Sequence, residues 1–390
     1  MRLLTKDDYI QSLELSQYAF QYILTKEEKN QRLDMFNDHQ VWGIFEDNRL
    51  ASKLHLFPHS VFIEKKEIKM GGIAGVATWP EYRRLGYVNK LMIHSLKEMK
   101  RCGQLISYLH PFKVSFYRKY GWELIADQKK YQIKKEDLTP LSQASGFIKR
   151  ACIEQDTEQL NHIYELYAKQ YNGMLKRSQK WWRSFAEDKS IHYVMYFNSM
   201  NEPLGYLMYS IKDKKMKVEE FIAIEIDGTK ALWNFICQHD SMIEEVEIVV
   251  PANDLLAYML QNPQIEQHVH PYFMGRIVDV ENFLLQYPLK KIEQPLFIHL
   301  YDAHAEWNNG TYLIKNGQVK LYQKGNEASS CAHPPKRGIQ LDIQTLTCVL
   351  MGYKRVDELV RIGRIQGEKE ETELLKELMT QRDTAFLDFF

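Results

Sequence analysis

The chain has 390 residues, of which 45% are hydrophobic and 26% charged, and its 51 basic and 51 acidic side chains give a formal net charge of zero. That balance supplies no global attraction to nucleic acid or to an anionic membrane, and no stretch approaches the roughly 18–20 uncharged apolar residues of a membrane span. The N-terminus carries Lys6, Asp7 and Asp8 in place of an apolar leader, and five scattered cysteines without a CxxC pair read as reduced thiols rather than a disulfide framework or zinc site. A cytoplasmic protein of two or three domains is the expectation.

The first third mixes helix and strand. Residues 7–35 hold Leu13, Phe20, Ile23 and Leu24 at helical spacing, with Leu15, Tyr18 and Tyr22 widening the apolar face. Strand-like runs follow at 41–45, 50–63 and 68–78, separated by turns at Glu46-Asp47-Asn48 and Lys65-Lys66. A glycine-containing turn at 81–86 leads to a helical pattern over 88–99, with Leu91, Met92, Leu96 and Met99 on one face, and then to a buried strand at 105–109.

From about residue 148 the order begins again, with a helix at 156–169, strands at 192–197, 204–211 and 218–226, a helix at 229–238 and a strand at 246–250. The third strands of the two copies, near Gly72 and Glu220, are offset by about 150 residues, which reads as an internal duplication. The copies differ at the turn that follows. The first has Arg83-Arg84-Leu85-Gly86, whereas the second has Glu225-Ile226-Asp227-Gly228, acidic and without arginine.

The pattern changes again from about residue 278. A strand is expected over 288–300, a hairpin from 311–314 and 319–322 around Asn316-Gly317, a loop at 331–335, and helices at 343–351, 356–362 and 370–379. The ending, Phe386-Leu387-Asp388-Phe389-Phe390, is too apolar to dangle in water and is expected to dock.

The most informative stretch is Gly72-Ile73-Ala74-Gly75-Val76-Ala77-Thr78-Trp79-Pro80-Glu81-Tyr82-Arg83-Arg84-Leu85-Gly86-Tyr87-Val88. A strand delivers the chain to a turn that opens an amphipathic helix, whose first N–H groups lack internal partners and can hold a pyrophosphate. Gly86 permits close backbone approach, and Arg83 and Arg84 add charge. The Walker lysine motif is missing, so this is no nucleotide P-loop.

Arg83-x-x-Gly86-x-Val88 resembles the Arg/Gln-x-x-Gly-x-Gly/Ala turn of the GNAT family of N-acetyltransferases, departing from it at Val88. Phe116-Tyr117-Arg118-Lys119-Tyr120-Gly121-Trp122 resembles the aromatic segment after that family's fifth strand. Over essentially all 390 residues the chain is similar to the enhanced intracellular survival (Eis) type, in which a larger residue at the Val88 position is tolerated. The resemblance implies an α/β (α+β) fold: an active GNAT domain at 1–145, a degenerate one at 146–277, and a sterol-carrier-protein-like domain at 278–390. It also implies acetyl-coenzyme A as cosubstrate, homo-oligomers that are often hexamers, and small-molecule amine acceptors that can include aminoglycosides.

By the same resemblance, backbone N–H groups at Val76 and Thr78 hold the thioester end of the cofactor, and Arg83, Arg84, Gly86 and Tyr87 cradle its pyrophosphate. Tyr117 is the candidate general acid, since a phenol near pKa 10 is protonated at neutral pH. The α-carboxylate of Phe390 is implied as general base, although its ordinary pKa of about 3.3–3.7 makes it weak unless desolvation raises it. His110, just after the 105–109 strand, is the fallback, and Asp388 is a candidate for holding a cationic acceptor. Tyr120, Trp181 and Trp182 read as packing residues, and His268 with His270 lacks ligand spacing for a metal. Two other readings stay open: a lipid- or coenzyme-A-binding protein without turnover, and an acyltransferase acting on peptide or lipid amines.

Overall fold

A computed structural model of the chain describes residues 1–322, 337–379 and 382–390. The first repeat runs β1 (Arg2–Leu3), α1 (Tyr9–Phe20), α2 (Lys26–Met35), β2 (Gln40–Glu46), β3 (Arg49–Ile63), β4 (Lys66–Thr78), α3 (Tyr87–Arg101), β5 (Ile106–Leu109), α4 (Val114–Arg118) and β6 (Glu123–Lys134). The second runs β7 (Phe147–Ala151), α5 (Ile153–Ala168), α6 (Gln179–Phe185), β8 (His192–Phe197), β9 (Pro203–Lys212), β10 (Lys215–Ala223), α7 (Ile226–Cys237), β11 (Glu245–Pro251), α8 (Leu256–Met259) and β12 (Glu266–Ile277). The C-terminal part comprises α9 (Val280–Gln286), β13 (Leu296–Tyr301), β14 (Gly310–Lys315), β15 (Gln318–Tyr322), β16 (Ile339–Asp342), α10 (Ile343–Met351), α11 (Val356–Arg361) and α12 (Lys369–Leu378).

The helical spacing over 7–35 resolves into two helices. Gln21 adopts the left-handed conformation (φ 55°) and ends α1, and Thr25 with Glu28 forms a capping box that starts α2. Ile23 falls in the break and is 93% exposed, so it is no part of the apolar face. The α3 pattern holds as expected, with Leu91, Met92, Leu96 and Met99 all buried. In the C-terminal part, the strand expected over 288–300 begins only at Leu296, after a stretch bounded by Pro288 and Pro295. The hairpin at Asn316-Gly317 is present, with both residues at positive φ. The loop expected at 331–335 lies outside the described residues.

Both repeats share one 12-stranded sheet in the order β1-β2-β3-β4-β5-β12-β6-β11-β10-β9-β8-β7. The repeats exchange their last strands. β12, which closes the second repeat, pairs antiparallel with β5, and β6, which closes the first, pairs antiparallel with β11. β6 and β12 pair with each other at the centre. Separating the repeats therefore requires breaking strand ladders on both sides. β12, which belongs by sequence to the 146–277 segment, completes the sheet of the first repeat.

The two faces of the first repeat are covered differently. Leu54, Leu56 and Ile73 pack with α3. The opposite face lies under α1 and α2 at one end and under the C-terminal part at the other, where α10 packs near Ile125, Phe273 and Ile277. The C-terminal part has its own four-stranded sheet, β15-β14-β13-β16.

Candidate active site

β4 and β5 run parallel but pair at only three positions, Met70 with Ile106, Gly71 with Ser107, and Gly72 with Tyr108. Beyond Gly72 the strands part, and the backbone of 73–78, still paired with β3 on one side, faces an opening in the sheet on its β5 side. Within that stretch Gly75 and Val76 together oppose Leu54 alone, a β-bulge with Gly75 at φ +56°. A Cβ at Gly75 would lie 2.7 Å from the His55 ring, so both the turn and the close approach require glycine there. Val76 and Thr78 lie at and just beyond this bulge, where an oriented amide is of use to a developing oxyanion.

The turn after β4 presents its charge freely. Arg83, Arg84 and Gly86 are exposed, and among the described residues neither arginine side chain has a hydrogen-bond or ion-pair partner, the Arg83 backbone N–H alone donating to Pro80 O. Gly86 caps α3 at φ 78°, no side chain caps the helix, and its first turn holds no acid. A Cβ at Gly86 would meet open space, so glycine is needed for conformation, not for room. This fits an anionic ligand at the α3 N-terminus. Tyr87 contributes less than expected, because its phenol donates to the Glu46 carboxylate and only its backbone N–H remains for a cradle. The second repeat inverts the electrostatics, with Glu225 as N-cap of α7 and Asp227 in its first turn.

The tail does dock. The Phe390 ring lies over Gly72, the last residue of β4 paired with β5, where a Cβ would sit 2.5 Å from its Cε2. Its centroid is 5.0 Å from the His59 ring and 5.3 Å from the Phe273 ring. Phe386 is buried 4.4 Å from Phe273. Exposed His110 stands at the end of β5, with Tyr272 and Phe389 edge-on at 5.2 and 5.3 Å.

Asp388 takes a different place from the expected one. Its carboxylate is buried and accepts from Arg177 Nε at 2.9 Å, Trp181 Nε1 at 3.0 Å and Tyr164 Oη at 3.0 Å. It is committed to the protein and does not face a cationic acceptor.

Tyr117, on α4, is 4% exposed. Phe112 and Phe116 meet it edge-on at 5.6 and 5.1 Å, and burial pushes its phenol up to about 12. It packs in the cluster of Leu54, Ile73 and Leu91 on the α3 face, while Phe390 sits with Phe57 on the other. The Tyr117 and Phe390 rings thus lie against opposite faces of the β3–β4 pair. Tyr120 is half-buried between Phe116 and His304 and packs as expected.

Sequence reasoning missed an array on β3. Lys53, His55, Phe57 and His59 alternate onto the tail-bearing face. Fully buried Lys53 donates to Ser12 O at 2.8 Å, within 2.9 Å of Ser12 Oγ and 2.5 Å of Ser16 Oγ. Its Nζ is also 2.9 Å from His55 Nε2, and His55 Nδ1 is 2.8 Å from His39 Nε2. Among the described residues no carboxylate hydrogen-bonds to this series. Burial pushes Lys53 down to about 7 and His39 and His59 to about 4, and holds His55 well below its ordinary value. The period-2 placement of polar residues next to a glycine-rich strand was the available signal.

A pH dependence of stability follows. His39 and His59 titrate near 4 when folded and near 6.5 when unfolded, so between these values the unfolded chain binds more protons. Their contribution is complete above pH 6.5 and is lost as pH falls toward 4, on the order of 2 kcal/mol per ring. Urea midpoints measured from pH 7 to pH 4 should fall across this window, and His59→Asn should flatten the slope.

Residues 1–125 match a model of an acetyltransferase (GNAT) domain, residues 173–277 match a second model of the same description, and residues 280–387 match a sterol carrier protein domain. An uncharacterized N-acetyltransferase of Streptomyces avermitilis is 21% identical over 356 residues, covering 84% of this chain and 82% of its own length. One from Streptomyces griseus is 22% identical over 354 residues, covering 84% and 83%. Among solved structures, a conserved protein of Enterococcus faecalis described as a probable N-acyltransferase superposes with a TM-score of 0.91 at 25% identity, over 100% of this chain and 99% of that one. Eis1 of Mycobacterium abscessus has the same fold, with a TM-score of 0.82 at 18% identity over 100% and 99% of the two chains.

Proposed function

The chain is a GNAT N-acetyltransferase in which two GNAT domains precede a sterol carrier protein domain, and we propose that its first domain moves the acetyl group of acetyl-coenzyme A onto the amine of a small-molecule acceptor. The observation that carries this reading is the docking of Phe390 over Gly72, at the point where β4 and β5 part. An opening in the sheet, an uncapped helix N-terminus and two unpaired arginines lie together on the adjoining stretch of chain.

In the proposed reaction the α-carboxylate of Phe390 takes a proton from the acceptor ammonium. The amine nitrogen then bonds to the thioester carbon, and amides at Val76 and Thr78 stabilise the charge on the carbonyl oxygen. As the C–S bond breaks, the thiolate receives the Tyr117 proton and the amide nitrogen loses its second proton to solvent; the phenolate is then reprotonated from solvent and the Phe390 carboxyl releases the proton it took. Holding both reactants in one slot supplies the largest part of the rate by making the attack intramolecular in effect. The second domain, with carboxylates at Glu225 and Asp227 where a pyrophosphate would lie, has no such role.

Thiol release from acetyl-coenzyme A, followed across a panel of amines that includes aminoglycosides and polyamines, tests the proposal. Acceptor-dependent turnover is expected. Tight cofactor binding with no release for any amine would overturn it in favour of a binding protein, and turnover only with long-chain acyl donors or lipid amines would move it to a different acyltransferase.

The cradle can be tested separately. Arg83→Ala and Arg84→Ala should each weaken acetyl-coenzyme A binding by about tenfold, as expected for a lost charge-assisted bond to phosphate, with melting temperature unchanged. Titration calorimetry reads the effect, and an unchanged dissociation constant in the double variant would remove both from the site.

A further inference from the structure

The second GNAT domain holds a buried charge cluster that the mechanism above does not use. Arg177 lies between α5 and α6, and its side chain is 1% exposed. It pairs with Asp388 through Nη2 at 2.8 Å and with Glu220 on β10, through Nη1 at 3.1 Å and through Nη2. Tyr206 Oη donates to Glu220 at 2.5 Å, and the guanidinium lies 3.8 Å above the Tyr164 ring. All of these groups belong to the second domain except Asp388, which comes from the tail.

The cluster's position in the repeat gives it meaning. In the first domain, α1 and α2 cover the β3–β4 face on which Phe390 docks. In the second, α5 and α6 cover the corresponding β9–β10 face, and Arg177, Glu220, Tyr206 and Trp182 fill it. Tail residues Ala385 and Leu387 pack into the same cluster. The tail is threaded along the second domain before it reaches the first: Ala385 N donates to Asn172 O at 3.0 Å, Asn172 N to Asp383 O at 2.8 Å, and Thr384 Oγ1 to Asn172 O at 2.9 Å. Tyr272 of β12 then donates to the Asp388 carbonyl at 3.1 Å.

We propose that the second GNAT domain works as a clamp, in which Arg177, braced by Glu220, grips Asp388 and so positions the C-terminal carboxylate in the active site of the first domain. Only Phe389 lies between Asp388 and the terminal residue, so the clamp holds the Phe390 Cα, from which the carboxylate hangs directly, within about 7 Å of the Asp388 Cα. The cluster has two carboxylates for one guanidinium, and burial raises the Asp388 pKa despite Arg177 beside it. A buried group of this kind contributes less to stability than to fixing one register. Apolar residues would anchor the tail as firmly, but they would let it slide. The inference rests on the reading of Phe390 as the base.

The test is a double-mutant cycle between Asp388→Ala and removal of Phe390, in the full-length protein with a good amine acceptor. Asp388→Ala leaves Arg177 and Glu220 as a balanced pair, so the fold should be retained, and far-UV circular dichroism with a melting curve checks this. The expected result is a fall in kcat of at least tenfold, with the acetyl-coenzyme A dissociation constant within twofold of wild type. In the chain ending at Phe389, the same substitution should cost less than twofold more. Asp388→Ala with full kcat, beside a strong loss on removing Phe390, would overturn the clamp and leave the base in place. Equal losses in both backgrounds would reduce Asp388 to a structural residue. If the chain ending at Phe389 kept wild-type kcat, the base assignment itself would fall and the clamp with it.

Discussion

Deleting Phe390 lowers acceptor-dependent kcat by about 10²–10⁴-fold, the usual contribution of a positioned proton-transfer group, while acetyl-coenzyme A binding persists. The size of the effect follows from what surrounds the terminus. The rings of Phe57, His59, Phe273 and Phe386 enclose the Phe390 side chain, and burial keeps His59 neutral at pH 7, so its ring brings no positive charge to this apolar enclosure that would lower the basicity of the terminus. The proposed cofactor cradle is on the turn after β4, beyond the stretch on which the Phe390 ring docks, which is why binding should survive. Deletion also removes a ring that fills the space over Gly72, so the comparison needs a second protein in which the terminal carboxylate alone is converted to a carboxamide. Loss of turnover in both isolates the carboxylate. Loss on deletion with full activity in the carboxamide would assign the effect to the ring and return the base to a side chain such as His110.

The local features of this site could be read from the sequence because each is encoded over a few residues. Arg83, Arg84 and Gly86 stand out in the sequence as a basic, glycine-containing turn ahead of a helix, and all three are exposed there. The α3 face of Leu91, Met92, Leu96 and Met99 is set by helical period, and the Asn-Gly hairpin by its turn residues. The duplication was visible as a repeated order of elements. Strand exchange was not visible, since β6 and β12 carry the same alternation whichever sheet receives them, and pairing partners are chosen by packing across more than 100 residues. The Gln21 break escaped for a local reason, because a non-glycine residue holds the left-handed conformation there.

Polar groups buried far from their partners were the hardest to place. Asp388 looked like an anion for a cationic substrate because nothing near it in sequence neutralises it. Its partner Arg177 is 211 residues away. Lys53 and His55 looked like ordinary strand residues, and only the folded α1 and α2 show that Ser12, Ser16 and His39 close a chain of hydrogen bonds with them. In each case the sequence shows the charge but not the burial that determines its chemistry.

Tyr117→Phe should reduce kcat by about 10²–10⁴-fold with little change in cofactor affinity or stability. The substitution removes one oxygen and keeps the ring, so the contacts with Phe112 and Phe116 and the surrounding apolar cluster are preserved. Loss of rate would therefore report on the proton and not on packing. The pH profile supplies an independent reading. Burial pushes the phenol up to about 12, so the wild-type enzyme keeps this proton throughout the accessible range, and kcat should show no alkaline decline from this residue below pH 11. A phenol held so firmly gives up its proton only as negative charge builds on the departing sulfur, which has a pKa of about 8.5 as a free thiol. Thioesters of more acidic thiols need that proton less, and for them the penalty of Tyr117→Phe should shrink. A variant with full kcat, or an alkaline limb near pH 10 that persists in Tyr117→Phe, would mean that another donor protonates the leaving group and that Tyr117 serves only to wall the opening on the α3 face.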